Sequence, residues 1–307
     1  MFRFFCFCIG LLFSFATSAN SVGIVDIEIG SSPKEKTVIF GSDGRVYEAE
    51  TSNTALINKL KFAKTHKLEV KLQLTPELST KIIEIRTEQR EEIFHIELSS
   101  TELDSSLIKG KNFFTNAKRV STQARLVNTY ITDFESEEEV EELFQTQNNF
   151  MRFRSECYNR AHIWAWELNK KKYKGKKIQT GKMWIFYTSS YIRRYRFKWW
   201  FHIAPYVTVN GQVKILDRTF MDRPHHPNDW VDNLAPSSIR CQEVYKYSSY
   251  KDNEQSGNCY FIKSSLYYWQ PWQIESAETQ NQERSGWVDY ELKKAYKDGL
   301  GWRSRVP

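Results

Sequence analysis

Apolar and polar positions alternate with a period of two near the start of the chain. Val22-Gly23-Ile24-Val25-Asp26-Ile27-Glu28-Ile29 and Leu68-Glu69-Val70-Lys71-Leu72-Gln73-Leu74 both follow this pattern, which predicts half-buried strands. Thr37 to Tyr47 predicts a hairpin turning at Ser42-Asp43-Gly44, and Ile82 to Glu88 and Glu92 to Leu98 predict further strands. Thr54 to Thr65 predicts a short helix, with Leu56, Leu60 and Phe62-Ala63 roughly on one side. The first part is therefore expected to be an independently folded β-rich or α+β unit.

The period then changes. Cys157, Ala161, Trp164-Ala165 and Leu168 recur at helical spacing, with Ser155 placed to cap the N-terminus and the basic, Gly-containing stretch Lys170 to Lys177 ending the run. An aromatic strand, Lys198 to Phe201, leads through His202 into Ile203 to Val209, which alternates again before a turn at Asn210-Gly211. Val213 to Leu216 is the return strand and Asp217 closes it. Antiparallel pairing puts His202 and Asp217 at neighbouring positions near one end of this hairpin. The whole chain reads as α+β.

Composition divides the chain at a similar place. Residues 143–307 carry 27 Lys and Arg against 15 Asp and Glu, whereas residues 1–142 carry 17 against 22, and all ten tryptophans lie at or beyond Trp164. The acidic run Asp133 to Glu142 marks the change, so we expect segments at 1–19, 20–140 and 141–307. The first of these has the layout of a secretory signal: Arg3, an apolar run from Phe4 to Phe13, and small residues at Ala16-Thr17-Ser18-Ala19. Cleavage is expected near Ala19, with export to the periplasm or beyond. No later stretch approaches the roughly 18 apolar residues of a membrane span.

Export changes how the cysteines are read. Cys6 and Cys8 leave with the signal, so Cys157, Cys241 and Cys259 remain. An odd number in an oxidising compartment implies one pair and one free thiol. The polar loop Gln242 to Asn258 makes Cys241–Cys259 the expected pair and leaves Cys157 free.

Cys157 in the first helical turn meets unpaired backbone N–H groups and the positive end of the helix dipole, which favour a thiolate. A Cys, then a His, then an Asp along the chain is the order of papain-like and transglutaminase-like thiol enzymes, in which the Asp orients the imidazole toward the sulfur. The backbone N–H of Cys157 is the candidate oxyanion donor. His162 lies five residues beyond Cys157, about 140° round the helix, and is expected to be a structural hydrogen-bonder. Adjacent His225 and His226 in a Pro-rich turn lack ligand spacing and read as an exposed loop. The basic, aromatic run Arg193 to Trp200 has the composition of a nucleic-acid reader, but an exported thiol enzyme meeting acidic protein or cell-surface substrates accounts for it better. Tyr267-Tyr268-Trp269-Gln270-Pro271-Trp272 reads as core or cleft wall.

Cys-Tyr-Asn-Arg-Ala-His at 157–162, Trp-Phe-His-Ile-Ala at 200–204 and Ile-Leu-Asp at 215–217, with Pro224 and Trp230 beyond, resemble the secreted bacterial protein-glutaminases, or protein-glutamine deamidases. The resemblance spans roughly residues 150–235, although Arg218 stands where the family pattern has proline. It implies Cys157 as nucleophile, His202 as base and Asp217 as orienting carboxylate, in a papain/transglutaminase-like domain with the cysteine helix packed on an antiparallel sheet bearing the His and Asp. It also implies an N-terminal inhibitory pro-domain, protein or peptide substrates with exposed glutamine, and no metal or organic cofactor. Nucleic acid is not an expected partner, nor is a membrane once the signal is removed. The readings to be weighed against it are a transglutaminase, a papain-like cysteine peptidase, and a non-catalytic surface- or carbohydrate-binding protein. For the N-terminal part, a spacer or adhesion module is the competing reading.

Overall fold

The computed structural model describes residues 21–66, 68–75, 78–87, 130–149, 156–235, 239–252, 257–280 and 283–300. The signal at 1–19, the strand expected at 92–98 and the capping residue Ser155 lie outside these residues.

The first body contains β1 (Ser21–Glu28), β2 (Lys36–Gly41), β3 (Val46–Glu50), α1 (Thr54–Thr65), β4 (Glu69–Thr75) and β5 (Leu78–Thr87). Its strands close into a barrel in the order β1-β2-β3-β5-β4, with β1 also pairing β4. Val22, Ile24, Ile39, Tyr47, Ala49 and Leu72 fill the barrel together with Leu56, Ile57 and Leu60 of α1. The helix starts where predicted because the Asn53 side chain accepts a hydrogen bond from the Leu56 N–H at 3.1 Å. Phe62, expected on the packed side, is instead exposed.

The second body is built from β6 (Asp133–Phe134), α2 (Glu137–Gln145), α3 (Cys157–Lys170), β7 (Lys172–Tyr173), β8 (Lys176–Lys177), β9 (Gly181–Tyr187), α4 (Ser189–Tyr195), β10 (Phe201–Val209), β11 (Gln212–Ile215), α5 (Pro227–Leu234), β12 (Gln242–Glu243), α6 (Tyr247–Asp252), β13 (Cys259–Ser265), α7 (Pro271–Thr279) and α8 (Asp289–Leu300). Its main sheet runs β11-β10-β9-β13-β12, and β6 pairs in parallel with β10. β6 and the apolar side of α2 (Val140, Leu143, Phe144) pack with this sheet. The alternation read in Ile203 to Val209 also gives way: every residue of β9 and all of β10 except Thr208 is buried. Strands covered on both faces need no polar side, which is why Met183 to Tyr187 reads as a continuous apolar run.

The β10–β11 hairpin forms as predicted, with Val209 opposite Gln212 and a turn in which Asn210 (φ 50°) and Gly211 (φ 77°) both take positive φ. Cys241 and Cys259 are joined by a disulfide, which ties the start of β13 to the segment before β12, and Cys157 is free and buried. None of the described helices is long and apolar enough to cross a membrane.

The barrel docks on the second body through backbone as well as side chains. The Val46 N–H donates to the Lys198 carbonyl at 2.7 Å, the Trp200 N–H donates to the Gly44 carbonyl at 2.9 Å, and the Trp200 indole donates to the Gly41 carbonyl at 2.8 Å. Gly44 is required here on two counts: its φ is +84°, and a Cβ would lie 3.2 Å from the Phe201 ring. Ion pairs flank the contact, with Glu28 joined to Ser189 and Arg193, and Asp26 shared by Lys64 and Lys251.

Candidate active site

Helix α3 and strand β10 carry two of the three predicted residues into one packed layer, since Cys157, Ala161, Phe201, Ile203 and Ala204 belong to the same core cluster. Cys157 is the first residue of α3. The helix has Glu156 at its N-cap position, with no side-chain capping bond, so the sulfur sits beside backbone donors that no side chain occupies. The backbone N–H of Ile203, the residue after His202, acts on the thiol in the direction that lowers its pKa.

His202 and Asp217 form the second half of the site. His202 Nε2 lies 2.7 Å from Asp217 Oδ2, with both side chains almost wholly buried. Asp217 is not on the sheet, as the sequence reading had it. Strand β11 ends at Ile215, and Asp217 lies two residues further on, where the Leu216 N–H still donates to the Pro205 carbonyl at 2.8 Å and carries the chain past the strand end. The same Oδ2 also accepts the Trp230 indole N–H of α5 at 2.8 Å, and Oδ1 accepts the Thr219 N–H at 3.1 Å. Burial alone would push this carboxyl up, but the adjacent His202 ring and the Trp230 donor outweigh it and hold Asp217 below its ordinary range.

With Nε2 committed to a carboxylate, that nitrogen carries the ring proton, and Nδ1 is the acceptor of the neutral tautomer. Nδ1 is buried and has no hydrogen-bond partner. A buried acceptor left unmade in this way is costly.

The expected thiolate is not what this state holds. Cys157 is 2% exposed, and burial pushes its thiol up to about 12. The helix terminus does favour an anion, but desolvation is the larger effect in a site this dry. The charges of Glu156 and Asp217 act in the same direction, and the charge of Arg160 opposes them. Arg45 lies in the loop between β2 and β3, bridges to Trp199, and reaches within 3.5 Å of Glu156, the residue before the cysteine.

The remaining sequence candidates fall elsewhere. His162 is fully buried and receives Lys182 Nζ at 2.8 Å on Nδ1, with the same ammonium donating to the Tyr268 carbonyl at 2.6 Å. His225 and His226 are half-buried and not in an exposed loop: His225 pairs with Ile215 across the end of β11, and His226 caps α5 and lies 3.1 Å from Lys214 Nζ. Tyr268 and Trp269 are core, whereas Trp272 is 47% exposed. Arg218, in the position after Asp217, donates to the Gln145 carbonyl at 2.6 Å and also to the Gln147 carbonyl, tying the loop behind the carboxylate to the end of α2. Sequence reading missed Trp230 as a donor to Asp217, which no local pattern encodes. It also missed Arg160, which its place one turn along from Cys157 could have revealed.

A cysteine in the first turn of a helix, packed on an antiparallel sheet that carries a buried His bonded to an Asp just beyond the neighbouring strand, is the α+β arrangement expected from the sequence. Residues 114–234, which include all three predicted site residues, match the family model described as Glutaminase. Among solved structures, a crystal structure of pro-protein-glutaminase is similar at 14% identity, covering 94% of this chain and 96% of that one with a TM-score of 0.48. The NMR structure of protein-glutaminase from Chryseobacterium proteolyticum is also similar at 14% identity, covering 58% of this chain and 96% of that one with a TM-score of 0.34. No curated protein matches the chain.

Proposed function

We propose that this chain is a secreted protein-glutamine deamidase, made as a precursor in which the N-terminal barrel inhibits the second body. Cys157 is the nucleophile, His202 the base and Asp217 the group that orients the imidazole. The observation that carries this reading is the buried Nδ1 of His202. It has no partner, its ring is fixed from the other side by Asp217, and it stands on the strand whose Phe201 and Ile203 share a core cluster with Cys157.

The chemistry follows from those groups. His202 Nδ1 takes the thiol proton as the sulfur attacks the carboxamide carbon of a glutamine side chain, and the imidazolium returns a proton to the departing ammonia. A thioester remains on Cys157. Water deprotonated by the same nitrogen then hydrolyses it to glutamate and restores the thiol. The arrangement calls for no metal or organic cofactor, because the base and the nucleophile are both supplied by the chain.

The docked barrel is read as the inhibitor because it covers the segment leading into His202 in a state whose thiol, pushed up to about 12 by burial, is far too weak an acid for attack at neutral pH. Proteolytic removal of the barrel would readmit water and a substrate. The leader at residues 1–19 and the disulfide of the second body support export.

The test is ammonia release from a glutamine-containing protein by the full chain after limited proteolysis, with Cys157→Ala alongside. Release by the parent, with no backbone cleavage and none from the variant, is the expected result. Peptide-bond cleavage would favour the peptidase, and incorporation of a labelled primary amine the transglutaminase. Equal ammonia release from Cys157→Ala would overturn the assignment.

A further inference from the structure

One buried charge beside the site has no part in the chemistry above. Arg160 is 4% exposed and sits three residues after Cys157 on α3, about 60° round the helix and one turn along. Its Nε is buried and makes no hydrogen bond. A guanidinium is costly to hold out of water unless its charge is answered, and a core position in a helix would ordinarily take an apolar residue.

Three groups around the site answer that charge. Arg160 acts electrostatically on the Cys157 thiol, on Asp217 and on Glu156, and its charge favours the anionic form of each. Arg45, the other guanidinium at Glu156, belongs to the barrel and leaves with it, whereas Arg160 and Cys157 share one helix and keep their spacing whatever the barrel does. An arginine also keeps its charge throughout the working pH range.

We propose that Arg160 is a positioning residue for the nucleophile: its fixed charge, one helical turn from the sulfur, holds the Cys157 thiolate once the site opens. This inference rests on the reading of Cys157 as the nucleophile. A cation removed from within about 4–6 Å of a thiol raises its pKa by roughly one to three units. Each unit lowers the thiolate fraction below the midpoint about tenfold.

The experiment is the pH profile of Cys157 alkylation by iodoacetamide in the full chain, followed by mass spectrometry, for the parent, Arg160→Met and Arg160→Lys. Alkylation proceeds through transient opening, so altered access changes the amplitude of the profile, while the midpoint reports the thiol and its imidazole partner as a pair. Arg160→Met is expected to move the midpoint up by at least one pH unit, and Arg160→Lys to restore most of that shift. Should Arg160→Met fail to fold, Arg160→Gln carries the same expectation with a polar side chain in place. A folded Met or Gln variant with an unmoved midpoint overturns the proposal, as does a Lys variant shifted as far as Met. The profile needs no turnover, so it is separate from the ammonia assay: absent ammonia release with a shifted midpoint sinks the function and leaves the electrostatic role standing.

Discussion

Glu156 offers a quantitative handle on how the barrel is held. Burial raises its carboxyl from 4.5 to about 6, with the neighbouring Asp43 adding to the rise and Arg45 and Arg160 opposing it. Its side chain is about one-quarter exposed, so solvent screening is limited. The sign follows from linkage. Below pH 4.5 the group is protonated whether or not the barrel is docked, and it costs docking nothing. Between pH 4.5 and 6 a freed Glu156 loses its proton more readily than a docked one, and docking weakens progressively. Above pH 6 the full penalty is present and no longer grows. Taking the exposed value as the undocked reference, a shift of about 1.5 units corresponds to about 2 kcal/mol, or roughly 30-fold in the opening equilibrium.

The amides that cross the contact report this directly. The Val46 and Trp200 N–H groups donate across it to Lys198 and Gly44, so their hydrogen-exchange protection measures opening of the barrel. After correction for intrinsic exchange, protection at pH 7 is expected to be up to ~30-fold lower than at pH 4.5, and Glu156→Gln to flatten most of that slope. Protection that is equal at the two pH values, or that rises with pH, refutes the reasoning. So does an undiminished slope in Glu156→Gln.

Two further predictions concern the scaffold. Trp230→Phe removes one of the two side-chain donors on Asp217 Oδ2 and leaves a buried carboxylate short of a partner, so urea unfolding should show a loss of about 2 kcal/mol, with a change under 0.5 kcal/mol arguing against the bond. Replacing both Cys241 and Cys259 by Ser opens a link of sequence separation 18 and is expected to cost about 3 kcal/mol in the same measurement, with an unaltered denaturation midpoint as the contrary result.

Much of the local structure was legible in the residues themselves. The helix from Cys157, the β10–β11 hairpin with its Asn210-Gly211 turn, and helix α1 follow from periodicity and turn chemistry, which act over a few neighbouring positions. The pairing of Cys241 with Cys259 followed from the polar loop between them and from the odd number of cysteines beyond the expected leader. The reading of β10 as alternating failed because alternation records one buried face, and this strand is buried on two.

Tertiary structure decided the rest, and charge is the reason in each case. The residues around Cys157 favour a thiolate by helix dipole alone, but burial reverses the outcome, and burial is set by segments far along the chain. Likewise Asp217 accepts from Trp230 and His202, and Arg45 of the barrel faces Glu156, through contacts between separate elements. Sequence determined which groups could ionise and where the local turns and helices fall. Only the packed molecule decided how much water each group keeps, and hence which of them hold a charge.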